Sequence, residues 1–563
     1  MSEKKKKKTG ADLLVEAFRS EQVDFIFGYP GGVVIPIFDV FYDVNDIEFI
    51  LTRHEQAAVH AADGYARVTG KPGVCVATSG PGATNLVTGI ATANMDSVPL
   101  VIITGQVKRH LIGNDAFQEV DVTGITRSIS KHNYLVQSIE ELPRVVKEAF
   151  YIATTGRPGP VVIDLPLDVT VSETTDTYPD EVAIRGYSPN YEGNIKQIKN
   201  VAAMINECER PVFYAGGGVI ISGCSQELFD IAEKSQIPVT NTLLGLGSFP
   251  GGHELALGML GMHGNAYANY AIMKSDLIIA VGARFDDRVT GKVDEFAPNA
   301  KIIHIDIDPS SISKNIKVDL PVVGDAGNIL RQLKGLVDKK ERTGWLEQIE
   351  KWKKEFPTKY VQEEQGLAPQ YVVEQIYELT EGKAIITTEV GQNQMWTAQF
   401  YKFKEPRQLV SSGGLGTMGY GLPAAIGAQL GCPDRVVCDI AGDGSIQMNI
   451  QELTTAVRLK LPLNICILNN MYLGMVRQWQ ELFFKKRYSQ TNLEDSPNFV
   501  SIAKAFGAEG LLVEKRDDVI PALREAFESD KTYVLDFHVK REENVFPMVP
   551  AGEALDRMIG GMA

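Results

Sequence analysis

The chain has 563 residues, of which 44% are hydrophobic and 23% charged, and its formal net charge is -15 at pH 7. That length is too great for one hydrophobic core and indicates roughly three or four domains. The negative charge argues against a nucleic acid or an anionic membrane as the main partner. We see no apolar stretch long enough to span a membrane, no signal peptide and no CxxC pair among the six cysteines. These features predict a cytoplasmic protein.

The first part of the chain alternates short Val- and Ile-rich stretches with helical ones, which is typical of a parallel sheet covered by helices. Residues 71–85, KPGVCVATSGPGATN, predict a strand that opens into a glycine-rich loop, followed by a helix over 86–97 and a strand over 98–104. Glu55 lies between an apolar stretch and a small-residue helix, so we expect it at a strand carboxyl end. Taken alone, such a glutamate is most simply a first-turn charge that complements the helix dipole.

The middle of the chain also predicts a doubly wound sheet. Residues 211–220, 275–285 and 301–308 each read as a strand that reaches a loop. The glycines at 216–218 do not complete a GxGxxG fingerprint, because Ile221 stands where the last small residue belongs. The pattern therefore gives little support to a nicotinamide cofactor. The charged residues 334–365 predict a connecting helix and a linker.

The last part of the chain repeats the order seen in the first. Residues 434–449, DRVVCDIAGDGSIQMN, predict a strand and a glycine loop, 450–460 a helix, and 461–468 a strand introduced by Leu-Pro-Leu. We therefore expect two related domains, at about 10–175 and 370–545. The predicted fold is α/β, with three doubly wound parallel-sheet domains. Their predicted limits are residues 1–180, 190–345 and 366–563.

Asp443 and Asn470 follow two of these predicted strands, which one crossover helix joins and which should therefore be neighbours. Ligands collect beyond the carboxyl ends of parallel strands. A carboxylate and an amide oxygen are suitable ligands for Mg²⁺ when phosphate oxygens complete its octahedron. Gly442 and Gly444 would let the backbone approach a diphosphate. The alternative is a pair of unrelated turns, since Asp-Gly is common in turns.

The stretch from Gly442-Asp443-Gly444 to Asn469-Asn470 resembles the signature of thiamine-diphosphate (ThDP) enzymes. The resemblance implies that Asp443, Asn470 and the carbonyl of Tyr472 bind Mg²⁺ on the cofactor diphosphate. It also implies that Glu55, in Arg-His-Glu, presents a protonated carboxyl to the aminopyrimidine ring. In such enzymes different subunits hold the two ends of the cofactor, so at least a dimer is implied.

Further motifs narrow the resemblance. YPGG at 29–32, SGPGATN at 79–85, RFDDR at 284–288 and GMVRQWQE at 474–481 resemble the catalytic large subunits of biosynthetic acetohydroxyacid (acetolactate) synthases. The likeness runs from about residue 10 to the end of the sequence. It implies decarboxylation of pyruvate and ligation of the two-carbon unit to pyruvate, giving 2-acetolactate, or to 2-oxobutyrate, giving 2-aceto-2-hydroxybutyrate. Simple 2-oxoacid decarboxylases of the same superfamily use an adjacent pair of histidines to protonate the enamine that remains after CO₂ leaves. No two of the eight histidines here are adjacent, which argues against that activity.

The same resemblance implies roles for further residues. Arg288 would bind the carboxylate of the second 2-oxo acid, Trp479 would line the acceptor pocket, Gln118 would lie near the bound intermediate, and Met418 would bend the cofactor. The other residues expected to bind ThDP are Gln392, Asn393, Gly416, Gly442, Gly444 and Ser445. A structural FAD is implied in the middle domain, held by Arg157, Gly217, Met262, His263, Gly264, Gly282, Arg284, Asp306 and Asp325.

Three positions depart from the family pattern: Leu167 replaces a lysine, Asn393 a histidine and Lys108 a proline. We expect Asn393 still to donate a hydrogen bond to the diphosphate, with weaker but intact binding. The rival functions are an FAD-dependent pyruvate oxidase, an FAD-free catabolic acetolactate synthase, a ThDP-binding module without catalysis, and a nicotinamide dehydrogenase. The expected partners are 2-oxo acids, a second copy in a homodimer or tetramer, and a separate regulatory small subunit.

Overall fold

The computed structural model describes residues 7–362 and 366–560. In this part of the chain three six-stranded parallel sheets form, one in each predicted domain range, and the α/β prediction is confirmed. The domain limits themselves stay a prediction, and residues 363–365 of the predicted linker lie outside the described residues. None of the described helices is long and apolar enough to cross a membrane.

The first domain contains one parallel sheet and a short antiparallel pair formed by its first and last strands in the sequence, β1 and β8. Its strands are β1 (Lys8–Thr9), β2 (Phe25–Tyr29), β3 (Glu48–Leu51), β4 (Gly73–Ala77), β5 (Leu100–Gln106), β6 (His132–Leu135), β7 (Pro160–Pro166) and β8 (Glu173–Thr174). Its helices are α1 (Gly10–Ser20), α2 (Ile35–Phe41), α3 (Glu55–Thr69), α4 (Pro81–Asn85), α5 (Val87–Asp96), α6 (Val122–Thr126), α7 (Leu142–Thr154) and α8 (Leu167–Val171).

The middle domain follows the same alternation of strand and helix. Its strands are β9 (Pro211–Ala215), β10 (Val239–Asn241), β11 (Ala256–Met259), β12 (Leu277–Val281), β13 (Lys301–Asp306) and β14 (Leu320–Val323). Its helices are α9 (Ile195–Glu207), α10 (Gly217–Ile221), α11 (Ser225–Ser235), α12 (Ala266–Lys274), α13 (Asp287–Thr290) and α14 (Ala326–Lys334). The predicted connecting helix is present as α15 (Thr343–Glu355).

The third domain carries the predicted metal-binding strands. Its strands are β15 (Ile385–Thr388), β16 (Leu409–Ser411), β17 (Val437–Gly442), β18 (Leu463–Asn469), β19 (Glu509–Val513) and β20 (Tyr533–His538). Its helices are α16 (Pro369–Leu379), α17 (Gln392–Phe400), α18 (Gly421–Gly431), α19 (Asp443–Ile446), α20 (Leu453–Arg458), α21 (Gly474–Phe483), α22 (Phe499–Ala505) and α23 (Arg516–Phe527).

The sheet orders confirm the predicted duplication. The first sheet runs β3-β2-β4-β5-β7-β6 and the third runs β16-β15-β17-β18-β20-β19, which is the same order of strands. The middle sheet runs β11-β10-β9-β12-β13-β14. Central strands such as β4, β12 and β18 are buried along their whole length, because helices cover both faces of each sheet. This burial explains their continuous apolar sequences.

Helices α3 and α18 join the first domain to the third. A Cβ added at Gly64 would lie 2.2 Å from the carbonyl oxygen of Ala424, and one at Gly427 would lie 1.8 Å from that of Ala61. Only glycine fits at such close backbone approaches. Helix α3 begins at Glu55, where the side chain of His54 accepts a hydrogen bond from the Gln56 amide. Small residues along both helices therefore fix how the two related domains meet.

Candidate active site

Asp443 and Asn470 lie at the carboxyl ends of neighbouring strands β17 and β18, as predicted. Asp443 is only 1% exposed, and its Oδ2 atom is buried without a hydrogen-bond partner. Burial raises the pKa of this carboxyl to about 7. The Oδ1 atom of Asn470 accepts a hydrogen bond from the Tyr472 amide at 3.1 Å. An unpartnered buried carboxylate oxygen is costly, and a bound cation would compensate it.

No three His, Cys, Asp or Glu side chains converge as a complete metal site anywhere in residues 7–362 and 366–560. A cation at Asp443 would therefore depend on other oxygen ligands, such as the Asn470 amide, the Tyr472 carbonyl and a diphosphate. This donor set fits Mg²⁺, which binds through one or two protein oxygens when a diphosphate completes its coordination.

A small cavity of about 80 Å³ adjoins Asp443, and most of the residues expected to bind the diphosphate line it. The ThDP and metal residues that line it are Gln392, Asn393, Met418, Gly442, Asp443, Gly444, Ser445, Asn470 and Tyr472. Its polar side chains are tied to one another: Gln392 accepts a hydrogen bond from Asn470 at 3.0 Å and donates one to Gln478 at 2.9 Å. Gln392 is therefore held in place at the edge of the cavity by two neighbouring side chains.

Asn393 lines this cavity, and its side chain is hydrogen-bonded within the protein. Its side-chain amide donates to the carbonyl oxygens of Glu389 at 2.9 Å and Ile440 at 2.8 Å. A carboxamide has two hydrogens to donate, and both are used. Its oxygen faces Gly391 and Gly442, where an added Cβ would lie 2.8 and 3.3 Å from it. Both donors of Asn393 are thus used within the protein in this structure, where they join helix α17 to strand β17 and to the residue after β15. That Asn393 donates to the diphosphate stays a prediction.

A larger cavity of about 840 Å³ opens at the carboxyl ends of β9, β12 and β13. This volume lies in the range of sites for cofactor-sized ligands. Eight of the nine predicted FAD residues line it: Arg157, Gly217, Met262, His263, Gly282, Arg284, Asp306 and Asp325. Gly264 does not line it.

Two features suit this cavity to a large polar ligand. A Cβ at Gly216 would lie 2.1 Å from the Gly282 carbonyl oxygen, so glycine there lets the loops after β9 and β12 approach closely beside the cavity, which Gly217 and Gly282 line. Burial lowers the pKa of His263 to about 4, and its Nδ1 atom has no partner. The neutral ring can therefore exchange a hydrogen bond with a ligand. These residues fit FAD.

The two cavities meet at the apolar side chains of Val390, Met418, Met475 and Val476, which line both of them. Trp479 and Arg288 also line the larger cavity. The side chain of Arg288 is 61% exposed and its nearest charged partner is Asp287, at 3.7 Å. Its guanidinium is thus free to take a carboxylate.

Thiamine pyrophosphate enzyme domain models match all three domains: the N-terminal TPP-binding domain at residues 8–125, the central domain at 198–333 and the C-terminal TPP-binding domain at 389–537. The chain is 47% identical to the acetolactate synthase large subunit of Haemophilus influenzae, over 98% of both chains. It is 50% identical to the probable large subunit of Methanocaldococcus jannaschii, over 98% of this chain and 95% of that one. It is 46% identical to the isozyme 3 large subunit of Escherichia coli, over 98% of both. The chain belongs to the acetolactate synthase large-subunit family.

Two residues that the family resemblance made catalytic, Glu55 and Gln118, line neither cavity of the single chain. Both lie instead beside residues 79–85 of the first domain, which include helix α4. Glu55 accepts a hydrogen bond from Asn85 at 3.0 Å, and a Cβ added at Gly80 would lie 3.0 Å from Cβ of Gln118. The structure thus places both beside the same segment, outside the two cavities that the other predicted residues line.

Three departures from the family pattern lie in different surroundings. Leu167 begins helix α8, Lys108 is exposed after β5, and Asn393 is the buried tie described above.

Several lining residues were missed from the sequence. Met475 and Val476 belong to the GMVRQWQE motif, and Val390 follows β15, so the rule that ligands bind beyond strand ends points to all three. Asp96 also lines the larger cavity, at the end of helix α5, where no sequence pattern points to a ligand.

Proposed function

We propose that this protein is an acetolactate synthase that uses ThDP, Mg²⁺ and a structural FAD to join two 2-oxo acids. The observation that carries the proposal is the junction at Met418, where a diphosphate-sized cavity beside Asp443 meets the larger cavity of the middle domain. ThDP, when bound, supplies the nucleophilic carbon and the electron sink for decarboxylation. The cavity in the middle domain favours this activity over that of an FAD-free catabolic synthase.

The chain's own residues would perform four tasks. Asp443 and Asn470, with the carbonyl of Tyr472, hold the cation and so orient the diphosphate. Met418 presents an apolar side chain at the junction and shapes the bound cofactor. Arg288 binds the carboxylate of the second 2-oxo acid by a two-pronged hydrogen bond, and Trp479 provides an apolar wall for its side chain.

We place Glu55 and Gln118 in the site of a second copy of the chain. Their position outside both cavities supports this arrangement, because no glutamate of the described residues lines either cavity. Glu55 of the partner subunit would hold a proton on its carboxyl and donate it in a hydrogen bond to that ring. A homodimer is thus the smallest active unit that we propose, and a tetramer is compatible with it.

The relatives are named large subunits. We accordingly propose that a separate regulatory small subunit binds this chain. The proposal also includes a cytoplasmic location, where the free cysteines, four of them buried, would stay reduced.

The deciding experiment is to add pyruvate to the purified protein with ThDP, Mg²⁺ and FAD, and to record acetolactate and flavin absorbance together. Steady formation of acetolactate with oxidised flavin is the result expected. Rapid flavin bleaching with acetate as the product would instead show a pyruvate oxidase, and the roles of Arg288 and Trp479 would be withdrawn.

A further inference from the structure

Asp96, the last residue of helix α5, lies at the boundary between the first and third domains. It is 6% exposed, and both of its carboxylate oxygens accept hydrogen bonds from the third domain. The Gly413 amide donates to Oδ2 at 3.0 Å and the Gly414 amide donates to Oδ1 at 2.7 Å. One side chain of the first domain therefore fixes the start of the 412–420 loop, which follows β16 and carries Gly416 and Met418.

The other end of this loop, Tyr420, is linked to Asp96 through Asp63 and Arg67. Arg67 donates to Asp96 at 2.9 Å and to Asp63 at 2.6 Å, and the Tyr420 hydroxyl donates to Asp63. Both aspartate side chains are fully buried, and the arginine side chain is 11% exposed. Buried charges of this kind hold a fixed geometry, because moving one partner would leave the other unpaired. The loop is thus held at both ends by one buried network.

Asp96 also touches the flavin side of the site. It lines the larger cavity together with Arg284. The guanidinium of Arg284 packs against the loop so closely that a Cβ at Gly414 would lie 2.9 Å from its Nη2 atom. A ligand that orders Arg284 therefore also restricts Gly414, whose amide is held by Asp96.

We propose that Asp96 is the positioning residue that couples occupancy of the flavin cavity to the binding of ThDP, through the 412–420 loop. The inference rests on the proposed function, since it takes FAD and ThDP as the two ligands. It assigns a role to a structural flavin: filling the larger cavity fixes the loop that carries Met418. Because such coupling is a free energy shared between two sites, each cofactor must tighten the other by the same factor.

Calorimetric titrations of the protein with Mg²⁺ and ThDP, with and without FAD, test the proposal. In the wild type, FAD should lower the Kd for ThDP by about fivefold or more, and ThDP should lower the Kd for FAD by the same factor. In Asp96→Asn, the amide cannot accept from both glycine amides and pair with Arg67, so the factor should fall to within about twofold of unity. Asp46→Asn, which breaks an exposed ion pair with Arg19, is the matched control and should keep the wild-type factor.

Tyr420→Phe provides a milder variant if Asp96→Asn does not fold. It removes one hydroxyl from the network and should reduce the coupling factor, with a smaller loss of stability than Asp96→Asn because Asp63 keeps its bond to Arg67.

Each result has a distinct meaning. If the wild type binds ThDP but FAD does not change its affinity, or if both variants keep the wild-type factor, the role of Asp96 is overturned. If the wild type binds no ThDP at all, the proposed function itself fails. A lower melting temperature with an unchanged coupling factor would show that the network only stabilises the fold.

Discussion

The side-chain amide of Asn393 donates to the backbone carbonyl of Ile440 at 2.8 Å, and this hydrogen bond joins helix α17 to strand β17 just before Asp443. With a second bond to the Glu389 carbonyl, the amide is fully used inside the protein. In this arrangement Asn393 supports the strand that directly precedes Asp443.

Replacing Asn393 by Ala should therefore destabilise the protein without much effect on ThDP binding. Two buried carbonyls would lose a partner, at a cost of about 1–3 kcal/mol each. We expect a lower melting temperature and a Kd for ThDP within about threefold of the wild type, since the loss of these two internal hydrogen bonds acts mainly on stability. A Kd raised tenfold or more at an unchanged melting temperature, about 1.4 kcal/mol of binding energy, would show that Asn393 contacts the cofactor.

Asp443→Asn should abolish the Mg²⁺ dependence of ThDP binding. The amide oxygen carries no full charge, so we expect the affinity for ThDP with Mg²⁺ to fall by about 100-fold or more, while FAD still binds. Titration calorimetry with each cofactor measures both. The exposed Asp434 offers a matched control, and Asp434→Asn should bind all three cofactors normally. Mg²⁺-dependent binding that survives in Asp443→Asn would place the cation elsewhere.

Mixing two inactive variants tests whether the site is shared between subunits. Glu55→Gln and Asp443→Asn should each lose nearly all turnover. In a mixed dimer, one of the two sites takes Glu55 from the Asp443→Asn subunit and Asp443 from the Glu55→Gln subunit, so that site is intact. About half of the dimers in a random equal mixture are mixed, so the mixture should recover about a quarter of the wild-type rate. Glu48→Gln, an exposed glutamate on β3, should be fully active alone. A mixture that stays inactive after subunit exchange would place Glu55 in the site of its own chain.

Trp479→Leu should weaken the preference for the larger acceptor. The smaller side chain leaves the ethyl group of 2-oxobutyrate without its apolar wall, so the ratio of 2-aceto-2-hydroxybutyrate to 2-acetolactate should fall by about tenfold when both acids compete. Trp352→Leu, on the connecting helix α15, should leave the ratio unchanged. An unaltered ratio in Trp479→Leu would remove this residue from the acceptor pocket.

The pH dependence of stability should include a contribution from Asp164. Burial raises its pKa from 3.8 to about 7, although Thr104 and Gln106 donate hydrogen bonds to it. The pKa is raised in the folded state, so stability from this group is full below pH 4 and is lost as the pH rises toward 7. The slope is about 1.4 kcal/mol per pH unit for one proton.

Asp164→Asn removes this titration. The urea midpoint of the variant, minus that of the wild type, should increase as the pH rises from about 5 to about 8. Asp43→Asn, at an exposed site in the same domain, should show no such trend. A difference that is constant across this range would mean that Asp164 stays ionised in the fold.

The sequence by itself determined the three parallel sheets, the duplication of the first domain in the third, and the Asp443–Asn470 pair. These depend on local patterns: buried strands need continuous apolar residues, and polar residues at their carboxyl ends lie at one edge of a sheet. The family motifs likewise placed Arg288 and Trp479 near one site. Each of these patterns can be recognised within a segment of about thirty residues, and the duplication is recognised by comparing two such segments.

Only the tertiary structure decided how those segments act together. Which way the Asn393 amide points depends on the Glu389 carbonyl, after β15, and on the Ile440 carbonyl in β17. That Glu55 and Gln118 lie outside both cavities, and that Asp96 holds Gly413 and Gly414, depends on how closely α3 and α18 pack across the domain boundary. Contacts between residues more than 300 positions apart leave no periodic trace in the chain, because hydrogen bonds and close packing depend on distances in space rather than on spacing along the sequence.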